Sequence, residues 1–286
     1  MIIADKWRDY ELLDCSDGER LERWGKYILV RPDPQVLWNG RRAHPLWKSP
    51  DAIYTRSRSG GGSWNANKLP DEWNLSYGAL NFAVKPMGFK HTGLFPEQAA
   101  NWERFMPLLS GADRTVKVLN LFAYTGGATV AAASAGAEVC HVDAAKNMVS
   151  RAHENAELSK LNSAKIRYIV DDCVKFVERE ARRGNTYDAV IMDPPSYGRG
   201  PSGEMWKLEE NIGGLISKTA ALLSDKPLFF LVSSYTAGLS PSAIAYMLGC
   251  ELVPRFGGKV TADELGLRVT QTGGVLPCGG AAMWLA

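Results

Sequence analysis

No stretch of the 286-residue chain is apolar for long enough to cross a bilayer. The strongest run, Leu228-Phe229-Phe230-Leu231-Val232, is strand-sized, whereas a span needs ~20 residues. The opening residues, Met1-Ile2-Ile3-Ala4-Asp5-Lys6, reach charge at once and leave no room for a signal-peptide core. A cytoplasmic protein with no membrane partner is expected. Cysteine is sparse and unpatterned: Cys15, Cys140, Cys173, Cys250 and Cys278 form an odd count with no CxxC pair. That argues against a disulfide framework and against a zinc site, so no metal is expected. Charge of one sign is missing too. With 33 basic and 31 acidic residues the net charge is +2, which neither demands nor forbids a nucleic-acid partner. No glycine period, internal repeat or low-complexity tail is present, which excludes a fibre. A 45% hydrophobic content excludes a disordered chain and supplies a substantial core.

What is present divides unevenly. Seven of the nine tryptophans lie before residue 111, and residues 1–110 hold 15 basic and 13 acidic side chains, against 18 of each beyond. Segments 26–31 and 79–85 read as short strands, separated by Pro32, Pro34, Pro45, Pro50 and the Gly60-Gly61-Gly62 turn. A small β-rich N-terminal module over 1–86 is predicted. A connecting segment over 87–114 follows, with a helix at 96–109, where Pro96 suits a first turn. From 115 to 286 the pattern becomes strand, turn, helix, repeated. Strands are predicted at 116–122, 138–142, 166–170, 187–192 and 228–233, and helices at 129–135, 146–159, 174–183 and 207–223. Two closing strands fall near 267–269 and 282–285. Continuous apolar strands alternating with helices indicate an α/β fold with a parallel sheet covered on both faces.

In such a sheet ligands bind beyond the carboxyl ends of the strands, and here those ends carry unusual residues. The first is followed by Phe122-Ala123-Tyr124-Thr125-Gly126-Gly127. The paired glycines let backbone approach a ligand, or simply pack a helix on the sheet; the run is not GxGxxG, which disfavours a pyrophosphate site. The second ends at Asp143, 17 residues after Gly126, near the spacing at which a carboxylate grips ribose hydroxyls; the alternative is a helix cap. The third ends in Asp171-Asp172, able to receive an adenine amine or to cap. The fourth ends in Asp193-Pro194-Pro195-Ser196-Tyr197-Gly198. Two prolines remove backbone donors, so the Asp193 carboxylate and the Pro194 carbonyl can face outward as acceptors for an exocyclic amine, with Tyr197 placed to stack on a flat ring. The alternative is a rigid surface loop.

On these residues, together with Phe89-Lys90-His91-Thr92-Gly93-Leu94-Phe95-Pro96-Glu97-Gln98 and Asn155-Ala156, the chain resembles the class I S-adenosylmethionine-dependent methyltransferases. More narrowly, it is similar to bacterial 23S rRNA large-subunit base methyltransferases with an Asp-Pro-Pro motif. The likeness covers roughly residues 75–235. It implies a Rossmann-like sheet of seven strands in the order 3-2-1-4-5-7-6, the seventh antiparallel, and S-adenosyl-L-methionine as cofactor. By the same resemblance Phe122, Tyr124, Thr125 and Gly126 surround the methionine portion, Asp143 holds the ribose and Asp172 the adenine amine. Asp193 lies beside the transferred methyl, and Lys90 and Gln98 close over the cofactor carboxylate or line the entrance.

One departure bears on chemistry. Relatives that methylate cytosine C5 carry a cysteine just after the fifth strand, where this chain has Val232-Ser233-Ser234-Tyr235-Thr236. A poorly nucleophilic carbon needs a thiolate to add first, so a nitrogen acceptor is expected. From Arg41 to Lys68, six basic residues (Arg41, Arg42, Lys48, Arg56, Arg58, Lys68) interleave with Trp47, Tyr54 and Trp64. Cations holding phosphates and rings stacking on bases would suit RNA, expected to be rRNA; a small module's core and surface would look alike. Within the glycine-containing stretch 197–207, Trp206 and Lys207 are further candidates for contact with a base. Readings left open are a methyltransferase acting on a protein or small molecule, an NAD-dependent oxidoreductase, and a non-enzymatic RNA-binding protein.

Overall fold

The structure, a computed structural model, describes residues 1–57, 61–65, 68–199 and 205–286. In chain order the first strands are β1 (Ile2–Ile3), β2 (Tyr10–Ser16), β3 (Glu19–Trp24), β4 (Tyr27–Pro32), β5 (Ala52–Arg56), β6 (Gly62–Asn65), β7 (Trp73–Tyr77) and β8 (Leu80–Val84). A 3-10 turn at Pro96–Gln98 leads into α1 (Ala99–Ser110). Then follow β9 (Lys117–Leu121), α2 (Gly127–Ser134), β10 (Glu138–Asp143), α3 (Lys146–Leu158), β11 (Ile166–Val170), α4 (Cys173–Arg183) and β12 (Ala189–Met192). The remainder is β13 (Tyr197–Arg199), β14 (Met205–Lys207), α5 (Leu208–Ala220), β15 (Phe229–Ser234), α6 (Pro241–Phe256), β16 (Lys259–Arg268) and β17 (Val275–Leu285).

The main sheet runs β1-β16-β17-β15-β12-β9-β10-β11. The expected order 3-2-1-4-5-7-6 is present within it, with β17 antiparallel to β15 and the β9, β10, β11, β12 and β15 pairings parallel. The expected count of seven strands is corrected to eight, because two-residue β1 pairs in parallel with β16. A pair of isoleucines near a terminus carries no periodic signal, so sequence reasoning had no means of placing it.

The chain forms two compact units, one comprising residue 1, 101–264 and 279–286, the other 2–100 and 265–278; boundaries between them fall inside α1, β16 and β17. In the first unit, apolar side chains from β9, β12 and β15 (Leu119, Leu121, Val190, Met192, Phe230, Val232) meet Ile212 and Ile216 of α5 and Leu248 and Leu252 of α6. Each such side chain, fully withdrawn from water, contributes about 1.5–3 kcal/mol. These strands read as unbroken apolar runs because both faces are covered. α4 shows how local signals set the ends: Asp172 caps its start and Gly184, at φ +69°, closes it. The unpredicted helix α6 has comparable signals, a Ser240 cap followed by Pro241, but Gly249 and Pro254 interrupt its pattern.

The second unit contains a five-stranded sheet, β2-β3-β4-β5-β6, and the β7-β8 hairpin. Leu13, Leu21, Ile28 and Val30 form one of its buried apolar clusters. Among the described residues, no helix is long and apolar enough to cross a membrane, and no cluster of three or more His, Cys, Asp or Glu side chains could hold a metal ion.

Candidate active site

β10, β9 and β12 are neighbours in the sheet, so Asp143, the loop 122–127 and Asp193 stand at three adjacent carboxyl ends. The loop after β9 is bent by left-handed residues: Phe122 at φ +55°, Tyr124 at +49° and Gly126 at +83°. Two aromatic residues in that region each cost about 1–3 kcal/mol, and such strain persists only where the surroundings over-determine it. Here they do. The Phe122 N–H donates to Cys173 Sγ at 3.2 Å, the Tyr124 N–H to Asp143 Oδ2 at 2.8 Å, and Asn155 Nδ2 to the Thr125 carbonyl at 2.8 Å. A Cβ on Gly126 would stand 2.7 Å from the Ala152 Cβ of α3, so only glycine permits this approach.

Beneath the loop lies a buried polar chain. Asn120 Nδ2 donates to Thr129 Oγ1, 2.9 Å away, and Thr129 Oγ1 lies 2.9 Å from His141 Nδ1. The hydroxyl accepts from asparagine and shares a further hydrogen bond with the imidazole. Nε2 has no hydrogen-bond partner among the described residues, and burial pushes the His141 pKa down to about 4.

Asp143 fits a sugar diol. Its Oδ2 accepts from Tyr124 N–H and its Oδ1 from Ala145 N–H at 2.9 Å. The carboxylate is thereby fixed, while each oxygen retains a further lone pair for an incoming hydroxyl. Asp172 acts as the α4 cap, accepting from Lys175 N–H at 2.9 Å through Oδ1 alone. Its neighbour Asp171 pairs with Arg179.

The loop after β12 is held at its start by β9 and further on from downstream. The Asp193 N–H lies 3.4 Å from the Leu121 carbonyl. Ser196 accepts from Thr236 Oγ1 through its hydroxyl at 2.7 Å, and from Leu208 N–H through its carbonyl at 3.1 Å. Tyr197 is 53% exposed, pairs with Lys207 across the β13-β14 hairpin, and donates its hydroxyl to Met205 Sδ at 2.7 Å. Lys207 Nζ donates to Glu210 at 2.7 Å. Trp206, read in the sequence as a base contact, has its indole engaged at home. Nε1 donates to the Pro195 carbonyl at 2.7 Å, and the ring lies 5.9 Å from that of Phe122.

The remaining candidates sit in the second unit. Lys90 Nζ donates to the Pro32 carbonyl at 3.1 Å, and burial together with Arg20 lowers its pKa to about 8. Nearby, Arg31 forms paired bonds of 2.5 and 2.8 Å with buried Glu22. Gln98 ends the 3-10 turn. Arg56 is exposed at the end of β5. Trp64 donates to the Met87 and Phe89 carbonyls at 3.0 and 3.1 Å and packs edge-on against Tyr54. Arg58 lies outside the described residues.

Sequence reasoning assigned no site role to Asn120, Thr129, His141, Ser196 or Thr236, and gave Asn155 none beyond its place in a motif. Asn155 had a readable signal: it shares the inward face of α3 with Val149, Ala152 and Ala156. A polar residue on such a face needs a buried partner. Cys173 is buried, and burial raises its pKa.

Comparison with known proteins agrees with this geometry. A family model described as S-adenosylmethionine-dependent methyltransferase matches residues 53–208. A SAM-dependent methyltransferase of known structure from Agrobacterium tumefaciens is 38% identical and superposes with a TM-score of 0.92, over 99% of this chain and 92% of that one. Ribosomal RNA large subunit methyltransferase I of Cronobacter sakazakii is 32% identical over 227 residues, 68% of this chain and 55% of that protein. Ribosomal RNA large subunit methyltransferase K/L of Shewanella frigidimarina is 31% identical over 178 residues, 58% of this chain and 24% of that protein. The chain thus spans about half the length, or less, of these curated relatives. With more than half of its residues matched and its strand-end loops so arranged, the chain belongs to the S-adenosylmethionine-dependent methyltransferase family, and S-adenosyl-L-methionine is its cofactor.

Proposed function

We propose that the protein transfers a methyl group to a nitrogen of a nucleobase in ribosomal RNA. The observation that carries this reading is Asp193-Pro194-Pro195 at the carboxyl end of β12, one strand away from the loop at Phe122–Gly126 and two from Asp143. When bound, S-adenosyl-L-methionine supplies an electrophilic sulfonium methyl. In this reading Asp143 accepts the ribose hydroxyls, residues 122–126 surround the methionine portion, and Asp172 uses its remaining oxygen for the adenine amine. Asp193 and the Pro194 carbonyl accept hydrogen bonds from the target amine, orient its lone pair toward the methyl and stabilise the positive charge that develops on nitrogen. The proton then leaves to Asp193 or to water. Tyr197, half-exposed beside this loop, stacks on the base.

Nitrogen is favoured over carbon because no thiol follows β15, and because Cys173, close to the cofactor loop, is buried with a raised pKa. RNA is favoured because the full-length relatives are named as ribosomal RNA methyltransferases and because Arg56 leaves an exposed cation on the second unit. Arg58 and Lys207 are proposed phosphate contacts and Trp64 a supporting ring, while Lys90 and Gln98 are proposed to serve the cofactor end.

Labelled methyl incorporation into unmodified rRNA, total protein and small-molecule extract tests the reading. Label on an rRNA nitrogen, lost in Asp193→Ala with S-adenosylhomocysteine affinity kept within about twofold, supports it, since Asp193 is assigned to the acceptor. Label only in protein or in small molecules overturns it.

A further inference from the structure

We infer that Trp206 is a positioning residue that couples the acceptor loop to the cofactor loop; this rests on the proposed reading of the loop after β12 as the acceptor site. Pro194 and Pro195 supply no backbone N–H, so this segment cannot anchor itself as the loop after β9 does. Its fixed points are instead carbonyls and a hydroxyl taken by groups further along the chain. The Pro195 carbonyl receives the Trp206 indole N–H at 2.7 Å. The Ser196 carbonyl receives Leu208 N–H at 3.1 Å, two residues beyond the tryptophan.

The same indole reaches the other loop. Its ring centroid stands 5.9 Å from that of Phe122, tilted by 41°, within the range of a favourable aromatic pair. Phe122 is one of the strained residues, at φ +55°. One side chain therefore touches two loops that are adjacent in space but far apart in sequence, using its polar edge for one and its apolar face for the other. Trp206 thus takes the Pro195 carbonyl as an internal anchor, and the proposed acceptor role rests with Asp193 and Pro194, ahead of it in the motif. That geometry suits a primary or ring amine placed at one defined distance from the methyl. A base stacking directly on Trp206 would have to displace this contact.

Two variants separate the edge from the face. Trp206→Phe keeps a ring against Phe122 and deletes the N–H; Trp206→Ala deletes both. Amide exchange followed by mass spectrometry reads each loop directly, over residues 120–127 and 196–199, and S-adenosylhomocysteine affinity reads the cofactor side. In Trp206→Phe, exchange should rise in 196–199 only. Its kcat should fall about fivefold, the ordinary net worth of one hydrogen bond, with KM for S-adenosyl-L-methionine unchanged. In Trp206→Ala, exchange should rise in both loops and S-adenosylhomocysteine should bind about fivefold more weakly. Unchanged exchange in 196–199 for Trp206→Phe, or identical behaviour of the two variants in both loops, overturns the coupling. If Trp206→Ala does not fold, Trp206→Phe decides alone. The exchange and affinity measurements need no acceptor, so a wild-type protein inactive on RNA would remove the proposed function without touching the coupling.

Discussion

Replacing Asp143 by Asn probes the central carboxylate without changing its size. In the native site each oxygen accepts a backbone N–H, from Tyr124 at 2.8 Å and from Ala145 at 2.9 Å. An amide has one carbonyl oxygen, so its NH2 must face one of those two donors. One charge-assisted bond is lost and an N–H is left without an acceptor, which at this half-buried position costs about 1.5 kcal/mol. For a chain of this size the melting temperature should fall by about 2–3 °C. The cofactor suffers further, because the ribose loses an anionic acceptor: S-adenosylhomocysteine should bind about 10- to 100-fold more weakly by calorimetry. A comparison of adenosine with 2′,3′-dideoxyadenosine isolates the diol. The wild type should prefer adenosine clearly, and Asp143→Asn should discriminate far less. If Asp143→Asn keeps the full preference, the carboxylate does not hold the ribose and the assignment fails.

Gly126→Ala should be costly whatever the cofactor does. The residue sits at φ +83° with Ala152 Cβ in the way, so at least about 1–2 kcal/mol of stability should be lost in urea unfolding; a neutral result would show that the loop relaxes freely. His141 predicts a pH dependence. Its pKa is pushed down to about 4 in the folded chain by burial, against about 6.5 unfolded. Its contribution is therefore complete above pH 6.5 and lost as pH falls toward 4, a difference of about 2 kcal/mol between pH 7.5 and pH 5. His141→Phe should remove that part of the slope; equal slopes in both proteins would refute it.

The sheet was largely legible because its central strands, β12 and β15, are buried along their whole length and read as mostly apolar runs. β11 falls on residues 166–170 in both readings, and α3 and α4 differ by a residue at one end. The N-terminal strands were less readable. β2 and β3 carry charges within them, and Glu22 is buried in an ion pair with Arg31 of β4, so alternation of polar and apolar residues did not mark the faces. The stretch after Tyr197, read as a glycine loop, includes the β13-β14 hairpin, whose two described strands of three residues each are too short for a periodic signal. Site residues that carry a charge at a strand end, Asp143 and Asp193, stood out from sequence. Those that work through a fixed partner did not declare it: Asn155 is marked only as a polar residue on an inward helix face and Trp206 only as a candidate base contact, because the carbonyl each one bonds is set by the fold.

This difference divides the site, as proposed, into halves with different anchorage. The cofactor half is held by groups in α3, α4 and β10, with Asn155, Cys173 and Asp143 binding the strained loop from three directions. The proposed acceptor half contains two prolines and, beyond the Asp193 N–H bond to Leu121, takes its anchors from Trp206, Leu208 and Thr236, later in the chain. Changes in the segment from β14 to the loop after β15 can therefore reshape the acceptor pocket while the cofactor loop keeps most of its own restraints. Trp206 is the exception, because its ring also meets Phe122. Substrate choice in this fold is thus expected to vary through the downstream segment, and methyl-donor binding through α3, α4 and β10.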